Sequence, residues 1–441
     1  MPSTVLDGVR LNQAPPANQP TQGIMCALNG ADSNRGQQIR LDERLLSQHL
    51  LFLGAIGTGK TNAISQIVSQ LSKNITNSDV MIIFDAKGDY IADRSICKHG
   101  FDVVISNDEK AVGEDGRQNF WNIFGEISRG AHMEDDVREI SRTLFHEMME
   151  KTTQLFFPAA ASDLFAAVLL HCCRQSGKSY ANADLRQYLN WAGVADLQSM
   201  LASHADLNAM RSYISGIDSP QSLGVLSELQ QMTRQIFTGN FAKQGSLSIR
   251  SLVRAKGGRK IFIEYDLGIG NALAPIYSLL FDLAIKEALC RREGERGNVY
   301  FVCDELKLVP HLQHMDDAVN FGRSLGVKFI VGIQNVMQIY EAYAGKGADN
   351  SLAKSILSGF STKVSYRVSD SESRDYIKGL YGVNRRLETY SHARGGTIAE
   401  NPRDGDVIED RDITQLPVGR AIVCMPGAEP FLFSFERYGK G

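Results

Sequence analysis

The chain has no apolar run approaching the 18 or so residues that a membrane helix needs. Its best candidates, "LFAAVLL" (164–170) and "PIYSLLFDLAI" (275–285), stop well short, and the N-terminus shows no charged-then-apolar signal pattern. The expectation is a cytoplasmic chain. A cysteine framework is missing too. The seven cysteines, an odd number, show no C-x-x-C spacing, and adjacent Cys172 and Cys173 in a helical pattern cannot both serve one simple metal site. Buried reduced thiols are expected. His311 and His314 form an H-x-x-H pair, but no nearby cysteine or third histidine supports a metal centre. Excess positive charge is also absent. A formal net charge of −3 argues against a basic coat for nucleic acid, although a channel lined locally by Lys and Arg remains open. With no recognition-helix or zinc-finger pattern, base-specific reading is not expected.

What is present suits one large domain with an insertion, or two domains: 441 residues, 43% of them apolar. Residues 1–22 are rich in Pro, Asn and Gln and read as an irregular arm. "GIMCAL" and "QQIRL" read as short strands around "NGADSNRG". "LLFLG" (50–54) is an apolar strand that runs into glycines. "KTNAISQIVSQLSKN" follows with the spacing of an amphipathic helix, and "VMIIFD" (80–85) and "FDVVIS" (101–106) are further strands. Strand, helix, strand with unbroken apolar runs predicts a parallel α/β sheet. Helical periodicity then dominates, in "DDVREISRTLFHEMMEK", "ASDLFAAVLLHCCRQS", "ADLQSMLASHADLNAMRSYI" and "LGVLSELQQMTRQIF". Strand signals return with "KIFIEYD", "NVYFVCDE", "VKFIVGIQ", "TKVSYRV" and "GRAIVCM". The expected plan is an arm with short strands (1–49), an α/β nucleotide-binding domain (50–116 and 246–441) and an inserted all-α domain (117–245).

"GAIGTGKT" (54–61) fits G-x-x-x-x-G-K-[ST], with a strand before it and a helix after. Gly54, Gly57 and Gly59 let the loop fold tightly, so that its backbone N–H groups, with those of Thr58 and Asn62, can face phosphate oxygens. Lys60 would reach the β- and γ-phosphates, the Thr61 hydroxyl would bind Mg²⁺, and the helix N-terminus adds its positive dipole end. ATP with Mg²⁺ is the expected cofactor pair. Hydrolysis also needs a carboxylate at the end of a neighbouring strand, and two sites compete: Asp85 in "MIIFDAKGD" and Asp304 in "VYFVCDEL". The second carries adjacent carboxylates with distinct roles. Asp304 would hold the metal through water, and Glu305 would orient and deprotonate the attacking water. Asp85 and Lys87 are left to a neighbouring loop.

Strand ends converge on the ligand in such sheets. Gln334, closing "VKFIVGIQ", is therefore expected beside the γ-phosphate as a sensor. Arg323 precedes the same strand, at its opposite end, too far to reach the same nucleotide. Pointing into the next subunit's site would explain it, as a guanidinium supplied in trans; a surface arginine is the alternative reading.

These stretches, in order, resemble the VirD4/TraD-type coupling proteins of conjugation and type IV secretion, within the FtsK/HerA-like ring translocases. The resemblance rests on "SQHLLFLGAIGTGKT", "IIFDAKGDY", "FFPAAASDLFAAVLL", "VYFVCDEL", "FGRSLGVKFIVGIQ", "STKVSYRVSD" and "ITQLPVGRAIVCMPGAEP", and covers about residues 40–435. It implies a RecA-like P-loop NTPase domain with a mostly parallel sheet plus the inserted all-α domain. It also implies the same roles for Lys60, Thr61, Asp304, Glu305, Arg323 and Gln334, a homo-hexamer, and ATP-driven movement of DNA through a central channel. Relaxosome or secretion-channel components are implied partners of the helical domain. Typical members of the family begin with transmembrane helices; the expectations left open are a separate anchor recruiting this chain to the inner face of the membrane, a membrane segment outside this sequence, and a pump that works without a membrane channel. Two basic stretches could touch DNA, "IRSLVRAKGGRK" (249–260) and "NRRLETYSHARGG" (384–396), the first also readable as a solvated loop. A ring ATPase that moves protein, and a nucleotide-gated scaffold, are the alternatives. The scaffold has no use for Glu305 or Arg323.

Overall fold

The computed structural model describes residues 3–108, 118–175, 177–292, 294–344, 349–392 and 396–439. Its strands, in chain order, are β1 (Ser3–Asp7), β2 (Ile24–Asn29), β3 (Gln38–Asp42), β4 (Leu50–Leu53), β5 (Val80–Asp85), β6 (Val103–Ile105), β7 (Arg259–Glu264), β8 (Val299–Cys303), β9 (Val327–Ile333), β10 (Thr362–Ser365), β11 (Val383–His392), β12 (Gly396–Asp406), β13 (Arg420–Cys424) and β14 (Phe431–Ser434). Nine of them form one sheet in the order β14-β13-β10-β4-β9-β8-β5-β7-β6. Pairing is parallel from β10 through to β6, and β13 and β14 add antiparallel. This is the parallel α/β sheet expected from the apolar runs, with two antiparallel strands added at one edge.

Those runs are unbroken because both faces of the sheet are covered. Side chains alternate along each strand. Leu51 and Leu53 of β4, with Val80, Ile82 and Phe84 of β5, join the core under the long helices. Leu50, Phe52, Met81 and Ile83 join the opposite core, with Ala63, Ile64, Ile67, Val68 and Leu71 of helix Lys60–Asn74. All seven residues of β9 are buried, and each large aliphatic side chain so placed contributes roughly 1.5–3 kcal/mol. The β2–β3 ribbon packs over helix Lys60–Asn74, where Gln70 brackets Ala27 by bonding its N–H and its carbonyl.

Between β6 and β7 the chain leaves the sheet for a helical block built on Met133–Lys151, Phe156–Arg174, Asn182–Trp191, Val194–Ala202 and Pro220–Ile236. It departs and returns side by side, at a parallel bridge between Trp121 and Leu247. Helix Phe156–Arg174 corrects the reading by short runs. Its 19 residues are apolar enough to cross a membrane, but 67% of that window is buried, as befits the central helix of the block. The run 195–214 also differs: the α-helix stops at Ala202, and a 3₁₀ segment, Asn208–Ile214, follows. All seven cysteines are free, four of them buried.

The stretch 249–260 forms helix Ile249–Ala255 and the start of β7, and two of its basic side chains are committed inside the protein. Arg250 Nη1 donates to Asp136 Oδ2 and to the Glu126 carbonyl, both at 2.8 Å, and its Nε donates to Glu287 Oε2 at 3.0 Å. Lys260 is fully buried, 3.1 Å from Asp102. Arg250 thus pins the helical block to helix Gly270–Leu289. Its removal leaves buried carboxylates short of a partner, so Arg250→Ala should cost roughly 3–5 kcal/mol, read as a lower urea midpoint. Burial pushes the Asp136 carboxyl up, but hydrogen bonds from Ser128, Arg250 and Lys286 outweigh it and hold it at about 2. A carboxyl held below its ordinary 3.8 contributes stability above that pH, which is lost as pH falls toward 2. Arg250→Ala should flatten that acid slope. In the stretch 384–396, Arg386 pairs with Glu409 at 2.5 Å, and residues 393–395 lie outside the described residues.

Candidate nucleotide site

At the C-terminal end of β4 the chain turns through Gly54–Gly59 into helix Lys60–Asn74. Glycine is required at two of these positions for different reasons. A Cβ on Gly54 would sit 2.6 Å from Tyr366 Cβ, and Gly59 has φ of +112° with the Gly419 backbone 3.2 Å from where a Cβ would be. The loop is tied on three sides. Gly54 N–H donates to the Ile333 carbonyl, Ala55 N–H to that of Arg367, and Gly419 N–H to that of Thr58. The Thr58 hydroxyl closes the turn onto Ala55 at 2.7 Å.

The expected residues converge. Lys60 Nζ reaches the carbonyls of Gly54 and Ala55 at 2.5 and 3.1 Å. Thr61 Oγ1 donates to Asp304 Oδ2 at 2.5 Å, and Gln334 Nε2 donates to Glu305 Oε2 at 2.6 Å. Lys60, Thr61, Asp85, Lys87, Asp304, Glu305 and Gln334 share one cavity of about 260 Å³. They meet because β4, β5, β8 and β9 all point their C-terminal ends the same way. Burial raises both carboxyls above their usual range, partly opposed at Asp304 by the Thr61 bond and Lys60, and at Glu305 by the Gln334 bond and Lys60. Burial likewise lowers Lys60, against the pull of Asp304 and Glu305. Asp304 Oδ1 and Glu305 Oε1 are buried without a hydrogen-bond partner. Two unpartnered carboxylate oxygens beside a threonine hydroxyl form an all-oxygen donor set that fits a hard cation such as Mg²⁺.

Asp85 does something else. Its carboxylate accepts the backbone N–H groups of Lys87, Tyr90 and Ile91 at 3.4, 3.0 and 2.9 Å, which folds the following loop against the cavity and brings Lys87 and Asp89 to its wall. The side chain of Asn62 is turned away, donating to the Glu436 carbonyl and accepting from Tyr438 N–H. Arg323 lies elsewhere, exposed in the 3₁₀ turn Gly322–Leu325 ahead of β9, on a hollow it shares with Asp42, Glu43 and exposed Phe321. The length of β9, about 20 Å, separates it from Gln334. Sequence reading missed Ile56, Tyr265, Leu267 and Leu308 at the cavity. Tyr265 follows the end of β7, a position that the strand-end rule picks out once β7 is placed beside β5.

A P-loop on one strand of a mostly parallel sheet, with an Asp-Glu pair two strands away, defines the RecA-like P-loop NTPase fold. Residues 37–432 match the model for the type IV secretion-system coupling protein DNA-binding domain, and the chain belongs to that family. It is 21% identical over 398 residues to the coupling protein TraD of Escherichia coli, covering 87% of this chain and 52% of TraD. The chain spans about half the length of the curated relatives it matches. The bacterial conjugative coupling protein TrwBdeltaN70 in its unbound form superposes with a TM-score of 0.77 at 18% identity, over 99% of this chain and 94% of that one. The plasmid coupling protein TrwB in complex with ADP and Mg²⁺ gives 0.75 at 18%, over 100% and 97%.

Proposed function

We propose that this chain is the motor subunit of an ATP-driven DNA pump, a homo-hexamer that passes DNA through a central channel at the cytoplasmic face of a secretion apparatus. The observation that carries the reading is the continuous set Lys60, Thr61–Asp304 and Glu305–Gln334 in one cavity at a P-loop. In it the loop amides and Lys60 hold the phosphates. Mg²⁺, held by Thr61 Oγ1 and Asp304, would neutralise charge on the β- and γ-oxygens. Glu305 takes the proton of the attacking water through its unpartnered Oε1, while Gln334 fixes its other oxygen. Arg323, unable to reach this site from its own chain, serves the neighbour's.

Membership of a family named for DNA binding favours nucleic acid as cargo, and the absence of a base-reading motif favours binding through the backbone. The test is ATP hydrolysis by the purified protein, with and without single- and double-stranded DNA, across protein concentration. Turnover should climb with DNA and rise more steeply than linearly with concentration, because each site is completed by a second chain. Flat, DNA-indifferent turnover transfers the reading to a motor for protein.

A further inference from the structure

His311 follows Glu305 by six residues, in the segment that leaves β8. A cavity of about 470 Å³ opens there between that segment, helix Met133–Lys151 and helix Gly270–Leu289. Tyr265 and Leu308 wall both this cavity and the nucleotide cavity. His146 and Glu150 stand one turn apart on helix Met133–Lys151, so both leave the same face.

Glu150 Oε2 lies 3.7 Å from His146 Nδ1 and 3.2 Å from His311 Nε2. One ligand atom from each of the three lies within 4.8 Å of the other two. The imidazoles face each other with centroids 4.4 Å apart. His146 Nδ1 is buried without a hydrogen-bond partner. Nitrogen and oxygen ligands at about 2.0–2.2 Å around a tetrahedral Zn²⁺ lie about 3.4 Å from one another. The separations of Glu150 Oε2 from the two imidazole nitrogens, 3.2 and 3.7 Å, bracket that spacing.

A neighbouring cluster provides the contrast. Glu139, Asp282 and His314 also approach one another, but Lys286 already sits on Glu139 at 2.5 Å and His314 on Asp282 at 2.9 Å. That group is neutralised from within. Among the described residues no Lys or Arg pairs with Glu150; Lys151 pairs with Glu147 instead.

We propose that His146, Glu150 and His311 bind a divalent transition-metal ion of the Zn²⁺ type, with the fourth coordination position open to the cavity. Two imidazoles and a carboxylate suit Zn²⁺, Co²⁺ or Ni²⁺ and not Mg²⁺, which takes oxygen, so this ion is distinct from the one at the phosphates. Bound, it ties the first long helix of the helical block to the segment that carries Asp304 and Glu305. Movement at the nucleotide and movement of the helical block are then joined by a chemical link.

The test titrates Co²⁺ into the full chain after chelation, in excess Mg²⁺ and without nucleotide. One ion per chain, the visible absorption of four-coordinate Co²⁺, displacement by Zn²⁺ and a Zn²⁺-raised melting temperature are expected. His311→Ala and the half-exposed Glu150→Gln should each weaken Co²⁺ binding by more than about 100-fold, beyond the 10–100-fold that loss of a supporting partner costs. Either variant retaining wild-type affinity and spectrum, or a wild-type chain giving no such spectrum, overturns the proposal. The readout is metal binding, so it does not depend on turnover or on DNA.

Discussion

Glu305→Gln should retain ATP and stop hydrolysing it: turnover should fall by about 10²–10⁴, the usual contribution of a positioned base, with nucleotide affinity unchanged. The variant isolates one property. Glutamine keeps an oxygen that can accept the Gln334 bond, 2.6 Å in the native protein, so the local packing survives, but it cannot take a proton. Burial sets the Glu305 carboxyl above the usual glutamate range, against the Gln334 bond and Lys60. Wild-type turnover should therefore decline on acidification at a pH above that of an ordinary glutamate, as the base is protonated, and the residual turnover of Glu305→Gln should lose that limb. Single-turnover hydrolysis and equilibrium binding of a labelled ATP analogue separate the two effects. Equal turnover in the two proteins would remove Glu305 from the reaction.

Arg323→Ala should bind ATP normally and lose turnover by about 10³–10⁵, the range for an arginine supplied to a phosphoryl group in trans. Arg323 is exposed at the far end of β9 from Gln334, so a direct role in its own site is geometrically closed. Mixing gives the sharper readout. Lys60→Ala subunits carry an intact Arg323, and Arg323→Ala subunits an intact P-loop, so the proposed ring, if mixed, would have competent sites where the two meet. Each variant alone should be inactive and the mixture active. Wild-type turnover by Arg323→Ala makes the arginine a surface charge.

The sheet was legible wherever burial on both faces forced an unbroken apolar run, as in β5, β8 and β9. It was illegible where pairing is made by charged or short segments. The β11–β12 hairpin passes through "NRRLETYSH", which carries no apolar periodicity, and β1 joins it from the other end of the chain. Helix Asn182–Trp191 has a polar composition that hid it in the same way. Strand order is a tertiary fact: β9 lies between β4 and β8, though it follows both in sequence. The P-loop and the Asp304–Glu305 pair could be read because their chemistry demands fixed residue types at fixed spacing. The role of Asp85 could not, since three backbone N–H groups chose it as their acceptor only once the loop closed. The grouping of His146 and Glu150 with His311 was invisible for the same reason. The H-x-x-H pair looked unsupported because its companions come from a helix far earlier in the chain.

The central claim, ATP-driven movement along DNA, is tested most directly by displacement of a third strand from a DNA triplex by the purified protein. Displacement that requires ATP, fails with a non-hydrolysable analogue and is lost in Glu305→Gln is the predicted result. Brisk ATP turnover that leaves the third strand in place would contradict it.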